Sequence, residues 1–268
     1  MPKHIVDTHC HLDIIASKGL PIPEALDLAS QAGVEKIVQI GIDRESSQFA
    51  KKLSHETKTP IEIYYTIGSH PTENQEFPHS GEIVDLVKDS ITDSKFVGVG
   101  EIGVDLYHDA STKKEQLEIL DLFLSLSAEH SLPVVIHSRD AFAETYEALK
   151  RWEGKAFGVI HCFTYDYEMG KKFFDLGYYI SFSGIVAFKN AKEIHDAAEK
   201  LPLEGILIET DAPFLAPPPF RGKDNQPAYV NYVLSRMQEL RKEDPEHIEN
   251  VLYSNSLKFI NRKAYHHA

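Results

Sequence analysis

Val6-Asp7-Thr8-His9-Cys10-His11-Leu12-Asp13 closes the first apolar run of the chain, and the fold turns on how it is read. An open, doubly wound α/β sheet normally sets a glycine-rich phosphate-binding turn directly after its first strand. Here that turn, Thr8 to Asp13, holds no glycine and carries two imidazoles and a carboxylate instead. In a β-strand residues two apart share a side, so Asp7, His9 and His11 are expected to project together while Thr8 and Cys10 face the other way.

Outward from this stretch, short β-branched runs recur at residues 4–7, 36–40, 62–67, 96–101, 134–137, 157–161, 178–182 and 205–209. Segments of helical periodicity lie between them, among them 24–32, 46–55, 114–130, 141–151 and 168–176. Strands alternating with helices predict a mainly parallel sheet, because parallel neighbours need a crossover connection and the crossover is usually a helix. The count of eight predicts an α/β fold closed into a single (β/α)8 TIM barrel, with the active site at the C-terminal ends of the strands. The open doubly wound sheet is the alternative. No low-complexity linker or compositional break divides the chain, so residues 1–268 are read as a single domain. Two long strand-to-helix connections stand out, 69–81 and 212–227, the second containing Pro217-Pro218-Pro219. In a barrel such loops shape the catalytic face.

Composition narrows the function. A chain that is 42% hydrophobic and 26% charged can bury a large core and is not a disordered or fibrous protein. With 28 Lys and Arg against 41 Asp and Glu, the net charge of −13 supplies no global positive field, so a nucleic-acid substrate would need local positive charge. Cys10 and Cys162 are the only cysteines, and the N-terminus lacks the apolar core of a signal peptide, which together predict a cytoplasmic protein with reduced thiols. No stretch approaches the ~20 apolar residues that cross a bilayer, so no membrane association is expected. The closing Tyr265-His266-His267-Ala268 is read as a frayed tail.

An HxH pair alone is a weak signal for metal. It gains weight because Glu101, His137, His161 and Asp211 each fall at or just past the C-terminal end of an expected strand, where barrel geometry gathers side chains around one mouth. With His9 and His11 these make four imidazoles and two carboxylates with no thiolate, a set suited to two divalent cations such as Zn²⁺, Mn²⁺ or Mg²⁺. A carboxylate can bridge two cations and a neutral imidazole binds one, so Glu101 or Asp211 would be the bridge. Cys10 and Cys162 adjoin ligand candidates, but small apolar packing is their expected role.

The chain resembles the TatD family of metal-dependent deoxyribonucleases, within the wider amidohydrolase-like group of TIM-barrel hydrolases. The resemblance spans nearly the whole chain. Its carriers are the opening stretch, Gly68-Ser69-His70-Pro71, Gly100-Glu101-Ile102-Gly103-Val104-Asp105, His137-Ser138-Arg139-Asp140-Ala141 and His161-Cys162-Phe163-Thr164. They continue with Tyr179-Ile180-Ser181-Phe182-Ser183-Gly184, Glu209-Thr210-Asp211-Ala212-Pro213-Phe214-Leu215 and Arg221-Gly222-Lys223-Asp224-Asn225-Gln226-Pro227. The resemblance implies that His9, His11 and Asp211 hold one metal, that Glu101 bridges, and that His137 and His161 complete the second. Two departures are visible. Leu106-Tyr107 stands where the family often has an aromatic pair, and Ser69 replaces a more usual apolar residue before His70.

The expected chemistry is in-line attack of a metal-activated water on a phosphodiester, the cations lowering the water's pKa from ~15.7 towards neutrality and Asp211 accepting its proton. Glu101 and Asp211 are thus the expected catalytic carboxylates. For the substrate, the resemblance suggests that His70 contacts phosphate. Arg139, two residues beyond His137, offers a guanidinium suited to bidentate phosphate contact. Arg221 and Lys223, in the loop after the eighth strand, and Lys189 after the seventh would add local positive charge. Tyr107, Phe163 and Phe214 could stack single-stranded bases or simply pack loops. Exonuclease action on single-stranded DNA or 3′ ends, or on RNA, follows from the resemblance alone. Asp13 is expected to orient a ligand histidine, with Asp105 and Glu209 as weaker candidates for that duty.

Two rival functions share these features. An amidohydrolase-type enzyme acting on an amide, lactone or small phosphoester would use the same fold and cations. Many such relatives carry a carbamylated lysine at the end of the fourth strand, where this chain has Glu101. A non-catalytic nucleic-acid-binding barrel would not require the complete ligand set found here.

Overall fold

In the computed structural model, which describes residues 4–263, eight parallel strands form one sheet in strict sequence order. They are β1 (Ile5–Cys10), β2 (Val34–Gln39), β3 (Glu62–Ile67), β4 (Phe96–Asp105), β5 (Pro133–Arg139), β6 (Phe157–Ile160), β7 (Tyr178–Phe182) and β8 (Ile206–Ile208). The sheet closes on itself just beyond β8. Asp211 N donates to His9 O at 2.9 Å, His11 N donates to Ala212 O at 2.8 Å, and Cys10 bridges Ala212 in parallel. This is the (β/α)8 barrel expected from the strand count. The expected tail, Tyr265 to Ala268, lies outside the described residues.

The helices that return each strand to its neighbour carry apolar faces. They are α1 (Leu12–Ser17), α2 (Ile22–Gln31), α3 (Arg44–Glu56), α4 (Ser80–Lys88), α5 (Lys113–His130), α6 (Phe142–Lys150), α7 (Tyr167–Asp175), α8 (Lys192–Lys200), α9 (Val230–Leu240) and α10 (Pro245–Ile260). Several begin where the sequence supplies a cap. Asp43 accepts from Ser46 N at 2.6 Å at the start of α3, and Asp166 accepts from Met169 N at 2.8 Å at the start of α7. Such caps satisfy orphan amides of the first turn.

Two cores result. The larger fills the space between sheet and helices, with Phe123, Leu124, Phe173 and Leu234 among its members. The smaller takes one residue from each strand, Val6, Val38, Tyr64, Val97, Val135, Val159, Tyr179 and Leu207, and is the filled interior of the barrel. Phe259 and Ile260 of α10 join it. At the end of α10, Arg262 donates to the carbonyls of Ile91 at 2.6 Å and Asp93 at 2.8 Å, tying the helix under the start of β4.

This interior layer sets the height of everything above it. Two residues further along the same strands, on the same face, come His137 after Val135, His161 after Val159, Ser181 after Tyr179 and Glu209 after Leu207. The apolar floor thus changes to a ring of polar groups within one step of the pleat. Among the described residues, no helix is long and apolar enough to cross a membrane.

Candidate active site

The polar ring opens into a cavity of about 850 Å³ at the C-terminal ends of the strands, walled by His11, His70, Glu101, His137, His161 and Asp211 among others. His9 lies beneath them, fully buried. All six residues expected to hold metal therefore converge.

Glu101 is the centre of the arrangement. Its Oε1 stands 2.9 Å from His137 Nδ1 and 2.7 Å from His161 Nε2. Its Oε2 stands 3.3 Å from His9 Nε2 and 4.0 Å from His11 Nε2. One carboxylate oxygen thus faces each imidazole pair. Asp211 Oδ1 lies beside the first pair, 3.7 Å from His9 Nε2 and 3.8 Å from His11 Nε2.

The donor set fits divalent cations. Within each pair the inward nitrogens approach to 3.2 Å, so ring nitrogens are aimed at each other and at carboxylates with no other protein group between them. His9, His11 and Asp211 bring one ligand atom each within 4.8 Å of one another, as do His70, Glu101 and His137, and His9, His161 and Glu209. No thiolate joins these groups, which leaves a borderline to hard cation as the natural guest.

The outer nitrogens reveal how the rings are aimed. His137 Nε2 lies 3.0 Å from Asp105 Oδ2, and His161 Nδ1 lies 3.3 Å from Glu209 Oε1, in ion-pair reach but off hydrogen-bond alignment. Glu209 is itself held, its Oε1 accepting from Cys162 N at 2.6 Å and its Oε2 from Ser181 Oγ at 2.6 Å. Carboxylates behind metal-binding histidines commonly fix ring orientation in this way. The two carboxylates ranked lower from sequence are therefore the ones in position. Asp13 is not. It lies in the first turn of α1 instead of continuing β1, and its Oδ1 accepts from Gln39 Nε2 at 2.9 Å, while His11 Nδ1 is buried with no hydrogen-bond partner among the described residues.

Asp7, the second residue of the opening stretch, ties the first strand to the segment after the last. Its carboxyl accepts from Thr210 N at 2.9 Å and Thr210 Oγ1 at 2.6 Å, fixing the residue that precedes Asp211. Burial pushes Asp7 up to about 8, against the lowering effect of those Thr210 bonds. Burial likewise raises Asp211 to about 6, with His161 and His11 pulling the other way. Glu101 moves oppositely: burial would raise it, but the surrounding His161, His70 and His9 rings hold it well below the ordinary range. Asp211 and Cys162 both adopt left-handed backbone, with φ of 56° and 43°, a conformation uncommon outside glycine. Both stand on the rim.

The expected substrate residues divide. His70 enters the cavity with Nε2 3.2 Å from Glu101 Oε1 and Nδ1 2.7 Å from Thr72 Oγ1. Arg139 lines the wall, its guanidinium 3.9 Å from the centre of the Tyr107 ring. Arg221, Lys223 and Lys189 do not line the cavity; Arg221 lies 4.5 Å from the Phe188 ring, and its loop is tied back where Lys18 Nζ meets Asp224 Oδ1 at 2.8 Å. Of the three aromatics, Tyr107 is 60% and Phe214 46% exposed and both line the cavity, whereas Phe163 is buried against Phe182 and Tyr165. Cys10 is buried, its Sγ 3.9 Å from Val38 O. Cys162 lines the cavity, its Sγ 3.2 Å from Ser183 Oγ.

Comparison with known proteins gives the chain a family and a matching fold. The family described as TatD related DNase matches residues 6–261. The chain is 35% identical over 253 residues to the uncharacterized metal-dependent hydrolase YabD of Bacillus subtilis, covering 94% of this chain and 97% of the relative. It is 36% identical over 254 residues to the uncharacterized metal-dependent hydrolase YcfH of Escherichia coli, covering 94% and 93%. Among solved structures, the Escherichia coli TatD homologue YjjV superposes with a TM-score of 0.87 at 30% identity, over 97% of this chain and 99% of that one.

Proposed function

Because the chain belongs to the TatD-related DNase family and is a metal-dependent hydrolase, we propose that it hydrolyses phosphodiester bonds of DNA, working from single-stranded or 3′ ends. The observation that carries this reading is Glu101, whose two oxygens face two separate imidazole pairs. That is the arrangement a bridging carboxylate needs. His9, His11 and Asp211 would hold one cation and His137 and His161 the other, with Zn²⁺, Mn²⁺ and Mg²⁺ all compatible with the donors. When bound, such a pair lowers the pKa of water and neutralises charge on phosphoryl oxygens.

The chain's own groups supply the rest. Asp211, at the cavity wall beside His9 and His11, accepts the proton of the attacking water. His70 and Arg139 bind the non-bridging oxygens of the phosphate, Arg139 with a guanidinium already steadied on Tyr107. The exposed rings of Tyr107 and Phe214 offer stacking surfaces for unpaired bases. An anionic substrate is favoured over an amide or lactone by Arg139 on the wall, and a carboxylate stands where lysine-bridged relatives carry a carbamate.

The test is digestion of 3′- and 5′-labelled single- and double-stranded oligonucleotides across a titration of each metal, beside a panel of amides and lactones. We expect hydrolysis that requires added divalent metal and starts at single-stranded or 3′ ends. The Glu101→Ala protein should lose it by at least about 100-fold and lose bound metal while its circular dichroism stays barrel-like. Turnover of an amide or lactone with no cleavage of any oligonucleotide would replace this reading with the amidohydrolase one.

A further inference from the structure

We propose that His108 is a catalytic residue of this site, the general acid that protonates the departing oxygen of the phosphodiester; the inference rests on the phosphodiesterase reading above. His108 lies on the turn just after β4 and lines the cavity. Its Nδ1 is 2.8 Å from Asp105 Oδ2, the same oxygen that lies 3.0 Å from His137 Nε2. The other oxygen of Asp105 accepts from Tyr107 N at 3.0 Å and His108 N at 2.9 Å, so the turn is pinned by one fully buried carboxyl. The His108 ring is thus fixed at one nitrogen and, with its side chain 52% exposed, free at the other. No hydrogen bond within the described residues engages Nε2.

Three other cavity-lining groups, Arg139, His70 and Ser138, are less suited to the task. Arg139 does not give up its proton in any working range of pH. Both ring nitrogens of His70 are engaged, with Glu101 and Thr72. Ser138 Oγ is bound to Thr145 and to Tyr165 at 2.8 Å each. Among the described residues, His108 alone of the cavity's imidazoles has a carboxyl at one ring nitrogen and no hydrogen bond at the other while its side chain is half exposed. The shared Asp105 oxygen also links its position to that of His137, whose Nδ1 is 2.9 Å from Glu101 Oε1.

The step balances within the hydrolysis. The water oxygen bonds to phosphorus and its proton passes to Asp211. The bond from phosphorus to the departing oxygen breaks, its electron pair stays on that oxygen, and the proton on His108 Nε2 moves to it. Solvent at the exposed edge of the ring then restores the proton.

A proton donor matters only when the leaving oxygen is a poor one, and this gives the test. Wild-type and His108→Ala proteins, loaded with the same metal, are assayed on dithymidine monophosphate and on bis(4-nitrophenyl) phosphate, whose nitrophenolate departs without help. Both substrates are run on one preparation, so any unfolded fraction cancels in the ratio, and bound metal is counted on each protein. The variant should lose about 100-fold in kcat on the dinucleotide, stay within about threefold on the nitrophenyl ester and keep its metal. Equal losses on both substrates, or no loss on the dinucleotide, overturn the proposal while leaving the phosphodiesterase reading intact. A wild-type protein inactive on both diesters removes that reading and this proposal together.

Discussion

At the residue scale, Asp105 shows how a site is built one hydrogen bond behind its ligands. An imidazole can present either nitrogen to a cation, and which one it presents is set by the partner of the other. For His137 that partner is Asp105 Oδ2, so Nδ1 is the nitrogen turned to Glu101. Asp105→Asn keeps one oxygen for the two backbone amides of the turn but meets the ring with an N–H donor. We expect metal affinity to fall roughly 10–100-fold, read by chelator competition, with thermal unfolding nearly unchanged. Affinity equal to wild type would remove Asp105 from the site's construction. Of the six central residues, Glu101, His137, His161 and Asp211 stand out in the sequence because each falls at or just past an expected strand end, and His9 and His11 because they stand two apart in the opening stretch. Asp13 was misread because alternation describes a strand, and the chain has already entered α1 at that point. His108 was invisible for a different reason: nothing periodic marks a side chain whose role depends on a carboxyl three residues away bending the turn under it.

At the scale of elements, β3 and β7 run over the residues expected from their β-branched patterns, whereas β4 continues past Glu101 to Asp105. A functional carboxylate looks like a strand end, but pairing persists because Gly103 lies directly against β5. A Cβ there would come within 1.9 Å of His137 O. Gly68, at the end of β3, plays a similar part, since a Cβ would come within 2.4 Å of Glu101 N. Strand pairing at the opposite end of the barrel leaves a titratable signature. Glu62 on β3 faces Lys36 on β2 in register and pairs with it, and also accepts from Tyr64 OH at 3.0 Å and Lys95 Nζ at 3.3 Å. Chiefly through Lys36, its carboxyl is lowered to about 2. A carboxyl lowered on folding stabilises the fold above its unfolded pKa of about 4.3 and loses that contribution as pH falls towards 2. Glu62→Gln should therefore cost stability at pH 7, by no more than about 1 kcal/mol because the Glu62 side chain is half exposed, and almost nothing near pH 2. Urea unfolding at both pH values checks the sign; a cost that grows on acidification would contradict it.

At the scale of the whole molecule, eight βα units and their common mouth are legible in the sequence, but the path of the loops around it is not. The loop after β8 was expected to deliver Arg221 and Lys223 to the substrate. It turns outward instead, with Arg221 on Phe188 and Asp224 tied to Lys18, because side-chain contacts made far along the chain decide a loop's course. The consequence is electrostatic. The molecule carries a net charge of −13, and among the described residues that line the cavity Arg139 is the one permanently charged cation. A protein that neutralises several phosphates along a single strand loses affinity with salt at about 0.7 logarithmic units per phosphate neutralised. One guanidinium assisted by His70 predicts a shallow slope of log(kcat/KM) against log[salt], between about −0.7 and −1.5 on single-stranded oligonucleotides. The Arg139→Gln protein should flatten that slope towards zero, while Arg221→Gln and Lys223→Gln leave it unchanged. A steep slope that falls in the Arg221 or Lys223 variants would mean that the β8 loop swings over the mouth when substrate binds, and that the cavity wall of the free protein is not the surface the strand meets.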